Sequence, residues 1–330
     1  MKVIALEEHF TTRAMLEANA DHPLLTMLRS AGAPEQGAVG GEMMLRLTDL
    51  GEHRLAVMDS AGIDVQVLSQ ATPGPEELPA AKAVHLAAHA NDVIAEAIAA
   101  HPSRFAGFAA LPMRDPVAAA KELDRTVQQL GFVGTMINSH VGGRYLDEPF
   151  FWPLFEAAEA LDVPIYLHPN RPPQPVVDSC YSGFSPIVTE TLATTAWGWH
   201  IDTGLHALRL IIGGVFDRFP GLQIIIGHLG EGLTSMLWRA DSTLNRVAGL
   251  PKPVRDYFSE HFSITISGFL DDVAFAAAID TVGTDRVMFS VDYPFLGSAE
   301  TRAYLDQLPL SQSDKEKIAH ANAERLLKLS

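Results

Sequence analysis

The chain has 330 residues, of which 47% are hydrophobic and 19% are charged, a balance that can bury a large core and excludes intrinsic disorder. The formal net charge of -16 argues against nucleic acid or an anionic membrane surface as a partner. The single cysteine, Cys180, cannot form an internal disulfide, and the apolar run at the N-terminus is too short for a signal peptide. We therefore expect a cytoplasmic protein.

Eight short apolar segments recur along the chain, and most are continuously apolar, as parallel strands buried on both faces are. They span residues 3–9, 65–71, 105–111, 134–139, 164–169, 222–228, 262–268 and 287–293. Segments with helical spacing lie between them. Strand followed by helix, repeated eight times, predicts an α/β fold of the (β/α)8 TIM barrel type. No Gly-rich dinucleotide fingerprint follows the first segment, which argues against a Rossmann fold.

Two connections are longer than a barrel needs, one at about 11–45 after the first strand and one at about 170–200 after the fifth. Long loops on the strand-to-helix side of a barrel form the lid and walls of its site, so we expect a loop cap over the C-terminal mouth. No repeat, low-complexity tract or linker divides the chain. The sequence therefore predicts one domain, residues 1–330, with these two insertions.

Polar side chains fall at the strand ends where barrel enzymes keep their catalytic groups. Glu7 and His9 are two residues apart on the first strand, which places them on one face, about 7 Å apart along it. His168 ends the fifth strand and Asp292 the eighth. Burying two carboxylates among imidazoles is costly unless a cation compensates them. We predict one divalent metal ion on these four residues, with zinc favoured, manganese the alternative, and a supporting role as the alternative for His9.

A second polar pair follows the sixth strand. His228 ends that strand, and Glu231 lies three residues later at the start of a helix, close enough to orient the imidazole and raise its basicity. We interpret this pair as a proton shuttle. The alternative is that Glu231 only caps the helix N-terminus, where a carboxylate is favourable in any case.

Two arginines on predicted helices, Arg54 and Arg239, are candidates for bidentate binding of a substrate carboxylate. Structural ion pairing is the favoured interpretation of each of them. His140 and His200 fall in or near the loops expected to form the site, without a role that the sequence assigns.

Four motifs carry a family resemblance: LEEHF at 6–10, YLHP at 166–169, GHLGEGL at 227–233 and FSVDYPF at 289–295. Together they resemble the branch of the amidohydrolase superfamily that contains aminocarboxymuconate-semialdehyde decarboxylases and hydroxybenzoate decarboxylases. Within that branch the chain looks closest to γ-resorcylate and 2,3-dihydroxybenzoate decarboxylases. Tyr293 departs from the tryptophan expected in γ-resorcylate enzymes.

The resemblance implies the same metal ligands and the same acid/base pair, which are Glu7, His9, His168 and Asp292 for the metal and His228 with Glu231 for proton transfer. It also implies a homodimer or homotetramer, because Phe295 matches a phenylalanine that in relatives can approach a neighbouring subunit's site, and Phe295 is a further candidate for contact with the substrate. The fourth strand carries no lysine that could bridge two metals, so the resemblance implies a one-metal site.

The activity implied is metal-dependent, non-oxidative decarboxylation of a hydroxylated aromatic carboxylic acid of the dihydroxybenzoate or resorcylate kind, in principle reversible. Asp292 would protonate the ring carbon that bears the carboxylate, while His228 with Glu231 manages the phenolic proton. The main alternative is a hydrolase in which the metal activates water against a lactone, ester or amide. Glu7, in place of the first histidine of a His-x-His pair, favours decarboxylation. A metal-binding barrel without activity is a third reading.

Overall fold

The strands of the protein form one closed sheet. The computed structural model describes residues 1–26 and 39–329. Eight parallel strands follow one another in chain order, each hydrogen-bonded to the next. They are β1 Ile4–Phe10, β2 Val65–Gln70, β3 Phe105–Ala109, β4 Gly134–Asn138, β5 Ile165–His168, β6 Ile224–Ile226, β7 Phe262–Thr265 and β8 Val287–Met288. A parallel bridge between Leu6 and Ser290 joins the last strand region to the first, which confirms the predicted barrel.

A major helix follows each strand. These helices are α1 Glu52–Ala61, α2 Ala80–Ala100, α3 Pro116–Leu130, α4 Trp152–Leu161, α5 Gly198–Ile212, α6 Leu233–Leu244, α7 Asp272–Val282 and α8 Ser298–Gln307. The boundaries of α3 show the local sequence logic. Asp115 caps its N-terminus by accepting from the Ala118 amide at 3.1 Å, and Gly131 ends it in the left-handed region at φ 73°.

Apolar side chains occupy two layers of the barrel. A small cluster of buried residues from seven of the strands includes Leu6, Phe108 and Ile225, and Ala323 and Leu327 of the C-terminal helix Asn322–Leu327 belong to it. A larger cluster joins residues of the strands to residues of the surrounding helices. Because these layers are apolar, the polar residues at the C-terminal ends of the strands stand apart as a separate group.

Both predicted insertions contain helices. The first insertion has helices Arg13–Ala18 and Val39–Thr48, while its residues 27–38 lie outside the described part of the chain. The second has helix Pro186–Ala193, preceded by short helical turns at Gln174–Val176 and Val177–Tyr181. A bond from the Thr11 amide to the Leu47 carbonyl, 2.9 Å long, ties the first insertion to the end of β1.

A search of the described helices for spans long and apolar enough to cross a membrane finds none.

One acidic side chain beside the barrel is buried without an ion-pair partner among the described residues. Glu76, in the turn Pro75–Glu77, is 3% exposed and accepts a hydrogen bond from the side-chain amide of Asn138. Burial raises the pKa of Glu76 to about 8. The carboxyl is therefore mostly protonated at neutral pH in the folded protein and ionised in the unfolded chain.

This difference in pKa predicts that the free energy of unfolding falls as the pH rises from acidic to slightly alkaline values. The folded pKa lies above the ordinary 4.5, so the stabilisation is complete below pH 4.5 and is lost as the pH rises through 8, by up to about 1.4 kcal/mol per pH unit. Glu76→Gln keeps the acceptor without the charge. We expect urea denaturation to show that this variant gains stability relative to wild type from pH 5 to pH 8. Parallel pH profiles for the two proteins, with Glu156→Gln as the exposed control, would contradict this account.

Candidate metal centre

The first strand departs from regular geometry at the predicted ligands. Its register with β2 shifts by one residue between Ala5 and Glu8, and Glu7 has a left-handed φ of 63°. A bulge of this kind redirects side chains relative to simple alternation. Both Glu7 and His9 are nevertheless buried and face residues from other strands.

The four predicted ligand side chains converge. Glu7, His9, His168 and Asp292 each offer one ligand atom, and these atoms lie within 4.8 Å of one another. His168 Nε2 is 3.2 Å from Glu7 Oε1, and His9 Nε2 is 3.2 Å from Asp292 Oδ1. Such spacing is compatible with a shared ion.

Buried polar atoms without a hydrogen-bond partner among the described residues are concentrated in this cluster, where His168 Nδ1 is one of three. Glu7 Oε1 and His9 Nε2 are buried without a hydrogen bond to any residue in the described ranges. An unsatisfied buried polar atom costs about 1–3 kcal/mol. Two of them in one cluster, one a carboxylate oxygen and one an imidazole nitrogen, fit a divalent cation that would satisfy both.

The other polar side-chain atoms of Glu7 and His9 contact hydroxyl groups outside the cluster. Hydroxyl groups of Tyr166 and Ser267 donate to Glu7 Oε2, and Ser69 Oγ lies 3.3 Å from His9 Nδ1. Supporting contacts of this kind fix the orientation of metal ligands. They leave Glu7 Oε1 and His9 Nε2 free for the centre of the cluster.

Both carboxyls of the cluster are ionised. Burial raises the pKa of Glu7, but the charges of His228 and His168 outweigh burial and lower it. Burial likewise raises the pKa of Asp292, but the neighbouring His228 and His9 outweigh burial, so the pKa of Asp292 is also lowered. The site therefore concentrates two negative charges in a small buried volume, which a divalent cation would balance.

Glu231 joins two histidines. His228 Nδ1 lies 2.6 Å from Glu231 Oε1, and His200 Nδ1 lies 2.6 Å from Glu231 Oε2. Burial raises the pKa of Glu231, but His228 and His200 outweigh it and hold the pKa at about 2. Glu231 is thus a fixed anion that orients two imidazoles, which goes beyond capping a helix.

Sequence reasoning left His200 without a role. It lies near the start of α5, after the long second insertion, and only the folded barrel brings it beside the segment that follows β6. Its other nitrogen, Nε2, accepts a hydrogen bond from the Trp199 indole at 3.0 Å. Thirty-one residues separate His200 from Glu231, so no local spacing could have indicated the contact.

Backbone strain coincides with these side chains. Glu7, His228, Glu231 and Asp292 all have left-handed φ angles, between 49° and 70°. Residues 229, 230 and 232 share this region, so five consecutive residues after β6 are left-handed. For residues other than glycine this conformation costs roughly 1–2 kcal/mol each and is concentrated at functional sites.

The two arginines do not reach the site. Arg54 is fully buried, donates to the His9 carbonyl at 2.6 Å and to the Asp49 carbonyl at 2.9 Å, and stacks 4.5 Å from the Tyr293 ring centroid. These contacts support a structural role for Arg54 over the candidate role in substrate binding, because its guanidinium braces the backbone of β1. Arg239 is exposed on α6 and does not line the cavity described below, which likewise argues against the candidate role for Arg239 within this chain.

His140 has a structural role. Its Nε2 lies 3.0 Å from the Arg171 carbonyl, and its Nδ1 accepts from the Gly143 amide at 3.2 Å. Both ring nitrogens therefore connect the loops that follow β4 and β5.

A cavity of about 150 Å³ adjoins the cluster. His9, His168, His228 and Asp292 line it, and Phe295 stands beside them with its ring centroid 5.7 Å from that of His9. Both insertions contribute walls, the first through aliphatic side chains and the second through Thr195 and Trp199. The predicted use of the insertions as walls therefore agrees with the lining.

Comparison with known proteins identifies the family. The family model described as amidohydrolase matches residues 12–329. The chain belongs to the amidohydrolase family. It is 38% identical to a gamma-resorcylate decarboxylase of Polaromonas sp., over 99% of this chain and 98% of that one. A protein of the same name from Rhizobium sp. is 39% identical, again over 99% and 98%. The resemblance drawn from the four motifs is confirmed.

Solved structures agree with this assignment. A 2,6-dihydroxybenzoate decarboxylase in complex with 2,6-dihydroxybenzoate matches this amidohydrolase with a TM-score of 0.86 and 36% identity, over 100% of both chains. A dihydroxybenzoic acid decarboxylase from Polaromonas sp., with bound manganese and the inhibitor 2-nitroresorcinol, also has a TM-score of 0.86 and 36% identity, over 99% of this chain and 97% of that one. The cluster and this neighbour together support a single divalent metal.

The cluster predicts that a bound metal stabilises the fold. A ligand that binds only the folded state adds about 2.7 kcal/mol at 100 times its dissociation constant. We expect chelation to lower the free energy of unfolding by an amount of this order, and Glu7→Gln to remove most of the metal-dependent increment. Denaturant titrations with and without manganese or zinc measure both effects, with Glu156→Gln, on the surface of α4, as the control. Equal stability of wild type with and without metal would contradict the proposed ligand set.

Proposed function

We propose that this amidohydrolase catalyses the metal-dependent, non-oxidative decarboxylation of a hydroxylated aromatic carboxylic acid of the dihydroxybenzoate or resorcylate kind. The observation that carries the proposal is a metal-type cluster that shares a ring-sized cavity with a buried imidazole, His228. An apolar cavity of roughly 150 Å³ is known to hold benzene in another protein. The full-length relatives with this activity support the same assignment.

We propose that Glu7, His9, His168 and Asp292 hold the metal. When bound, the ion supplies a fixed positive charge that can orient a carboxylate with its neighbouring phenolic oxygen and offset their negative charge. Two carboxylates and two imidazoles suit zinc, the metal favoured by the sequence, and also manganese. Manganese in the Polaromonas structure supports the second choice, and elemental analysis of the purified protein would decide.

The reaction requires a proton on the ring carbon that bears the carboxylate, because that carbon must become tetrahedral before carbon dioxide leaves. Burial lowers the pKa of His228, but Glu231 and Glu7 outweigh burial and raise it well above its ordinary value. Asp292 has a lowered pKa, whereas a carboxylic acid donor needs a raised one. The resting proton is therefore assigned to His228.

Asp292 is the neighbouring carboxylate that could receive this proton, after the two side chains approach to hydrogen-bond distance. His228 Nε2 lies 3.9 Å from Asp292 Oδ2. We assign the delivery of the proton to the ring carbon to Asp292, as the sequence indicated. His228 supplies this proton to Asp292, and it then accepts the phenolic proton. Glu231 holds the His228 ring in place, and His200 is a positioning residue that holds Glu231.

Hydrolysis is the second candidate, favoured by one observation. An ionised Asp292 beside a metal-type cluster is what a general base for water attack on a lactone or ester requires. The two reactions differ in product, since only decarboxylation releases carbon dioxide.

We also propose that the chain forms one domain and assembles as a homodimer or homotetramer in the cytoplasm. Large exposed apolar side chains concentrate in the second insertion and at the start of α5, among them Phe184, Ile187, Trp197 and Leu205. Apolar surface of this kind is typical of interfaces between subunits. Sedimentation equilibrium measures the assembly directly.

The proton-delivery assignment predicts the effect of one substitution. Asp292→Asn keeps a metal-binding oxygen but cannot deliver a proton. We expect a loss of at least about 100-fold in kcat, within the range for general acid catalysis. The assay follows carbon dioxide release from 2,6-dihydroxybenzoate, with metal content measured in parallel. Near wild-type turnover at unchanged metal content would exclude Asp292 as donor, and hydrolysis of a lactone without carbon dioxide release would favour the second candidate.

The role assigned to His200 predicts graded effects. Removing a residue that orients a catalytic imidazole typically costs about 10–100-fold in activity. We expect His200→Ala to lower kcat by this factor with little change in KM or metal content. His200→Gln should recover part of the loss, because its amide can donate to Glu231 in place of the imidazole. Equal losses for the two variants would show that the contact with Glu231 is not what matters.

A further inference from the structure

The wall that the first insertion contributes to the cavity is aliphatic. Its members come from helix Arg13–Ala18, from the residues just after it and from helix Val39–Thr48, and they are Leu16, Leu24, Leu25, Met44 and Leu47. Within the described ranges, neither lysine nor arginine lines the cavity. A charged group that reached this wall would be desolvated without a partner.

The polar atoms elsewhere in the lining are largely committed to the protein. The Trp199 indole N–H donates to His200 Nε2 at 3.0 Å, and the Thr72 hydroxyl donates to Asn170 Oδ1 at 3.1 Å. Thr11 Oγ1 accepts from the side-chain amide of Gln70 at 2.9 Å. The Trp199 N–H and the Thr72 O–H would have to break existing hydrogen bonds in order to donate to a polar substituent, whereas the Thr11 hydroxyl keeps its own proton available.

The proposed chemistry decides which part of the substrate meets the wall. A 2-hydroxybenzoate whose carboxylate and phenolic oxygen face the cluster of Glu7, His9, His168 and Asp292 has ring carbons 4 and 5 farthest from that cluster. Apart from the cluster and His228, the lining consists of the aliphatic side chains of the first insertion together with Ala71, Pro73, Trp199, Phe295 and three threonines, so these two carbons face a largely apolar lining. A substituent at either carbon is therefore surrounded mostly by apolar atoms.

We propose that the substrate is a 2-hydroxybenzoate that carries an alkyl group at ring carbon 4 or 5, packed against the aliphatic wall. The inference rests on the proposed decarboxylase function and narrows its substrate class. Burial of one methyl or methylene group contributes about 0.8 kcal/mol, close to a fourfold effect on binding. A hydroxyl or carboxylate in the same position forfeits this contribution and loses its hydration.

The test compares methyl and hydroxyl groups at the same ring carbon. The substrates are 2-hydroxy-4-methylbenzoate with 2,4-dihydroxybenzoate, and 2-hydroxy-5-methylbenzoate with 2,5-dihydroxybenzoate. Because ring substituents also change intrinsic reactivity, the quantity compared is the methyl-to-hydroxyl ratio of kcat/KM in wild type and in variants. Intrinsic reactivity cancels between proteins.

Two adjacent residues of one helix supply the variant and its control. Met44→Gln places an amide in the wall at similar length, whereas Leu45, 70% exposed on the same helix, does not line the cavity. We expect Met44→Gln to lower the methyl-to-hydroxyl ratio at least fourfold for one of the two pairs. Leu45→Gln should leave it unchanged.

Binding of the phenol products gives a readout that needs no turnover. Titration calorimetry compares 3-methylphenol with resorcinol and 4-methylphenol with hydroquinone. We expect the methyl compound of one pair to bind at least fourfold more tightly in wild type, and Met44→Gln to remove that preference. If the protein decarboxylates these substrates without a methyl preference, or with a preference that Met44→Gln leaves unchanged, this inference is overturned and the proposed function stands. Methyl-selective binding without decarboxylation of any substrate overturns the proposed function and leaves an alkyl-selective aromatic site.

Discussion

The ionised carboxylates of Glu7, which is fully buried, and of Asp292, whose side chain is 17% exposed, lie beside shared imidazoles at the mouth of the barrel. Their mutual repulsion in a dry environment is offset in the protein by His228, His168 and His9, whose nitrogens approach to between 3.2 and 3.9 Å. Two of the ligand atoms, Glu7 Oε1 and His9 Nε2, still lack a hydrogen-bond partner in the part of the chain that the structure describes. The need for a further positive charge at this point explains the donor set, the supporting hydroxyls behind it and the protonated state of His228 in the metal-free site.

The backbone is arranged to meet this need. At β1, β6 and β8 the chain turns into left-handed conformations at the residues whose side chains enter the site. In regular strands, the side chains of Glu7 and Asp292 would point in directions fixed by the alternation between the two faces of the sheet. The surrounding barrel, with its apolar layers and the brace of Arg54 on the His9 carbonyl, supplies the stability that offsets this strain.

Much of the barrel and of the metal-type cluster could be predicted from sequence, because both depend on strand ends. Parallel strands share one carboxyl edge, so an error of one or two residues in the predicted strand ends still brings His168 and Asp292 together. His200 could not be predicted, since its contact with Glu231 depends on how the second insertion folds. The two alternatives for Arg54 stayed open at the level of sequence, because composition does not tell whether a helical arginine faces the cavity or the back of a strand.

The aliphatic wall and the metal-type cluster are encoded in different stretches of the chain. The wall comes from helices placed between β1 and α1, joined to the barrel by the bond between Thr11 and Leu47, whereas the cluster comes from the strand ends themselves. Mutations in the first insertion can therefore alter which ring is accepted without moving a ligand atom. The substrate specificity of the enzyme can therefore diverge during evolution while its metal centre is preserved.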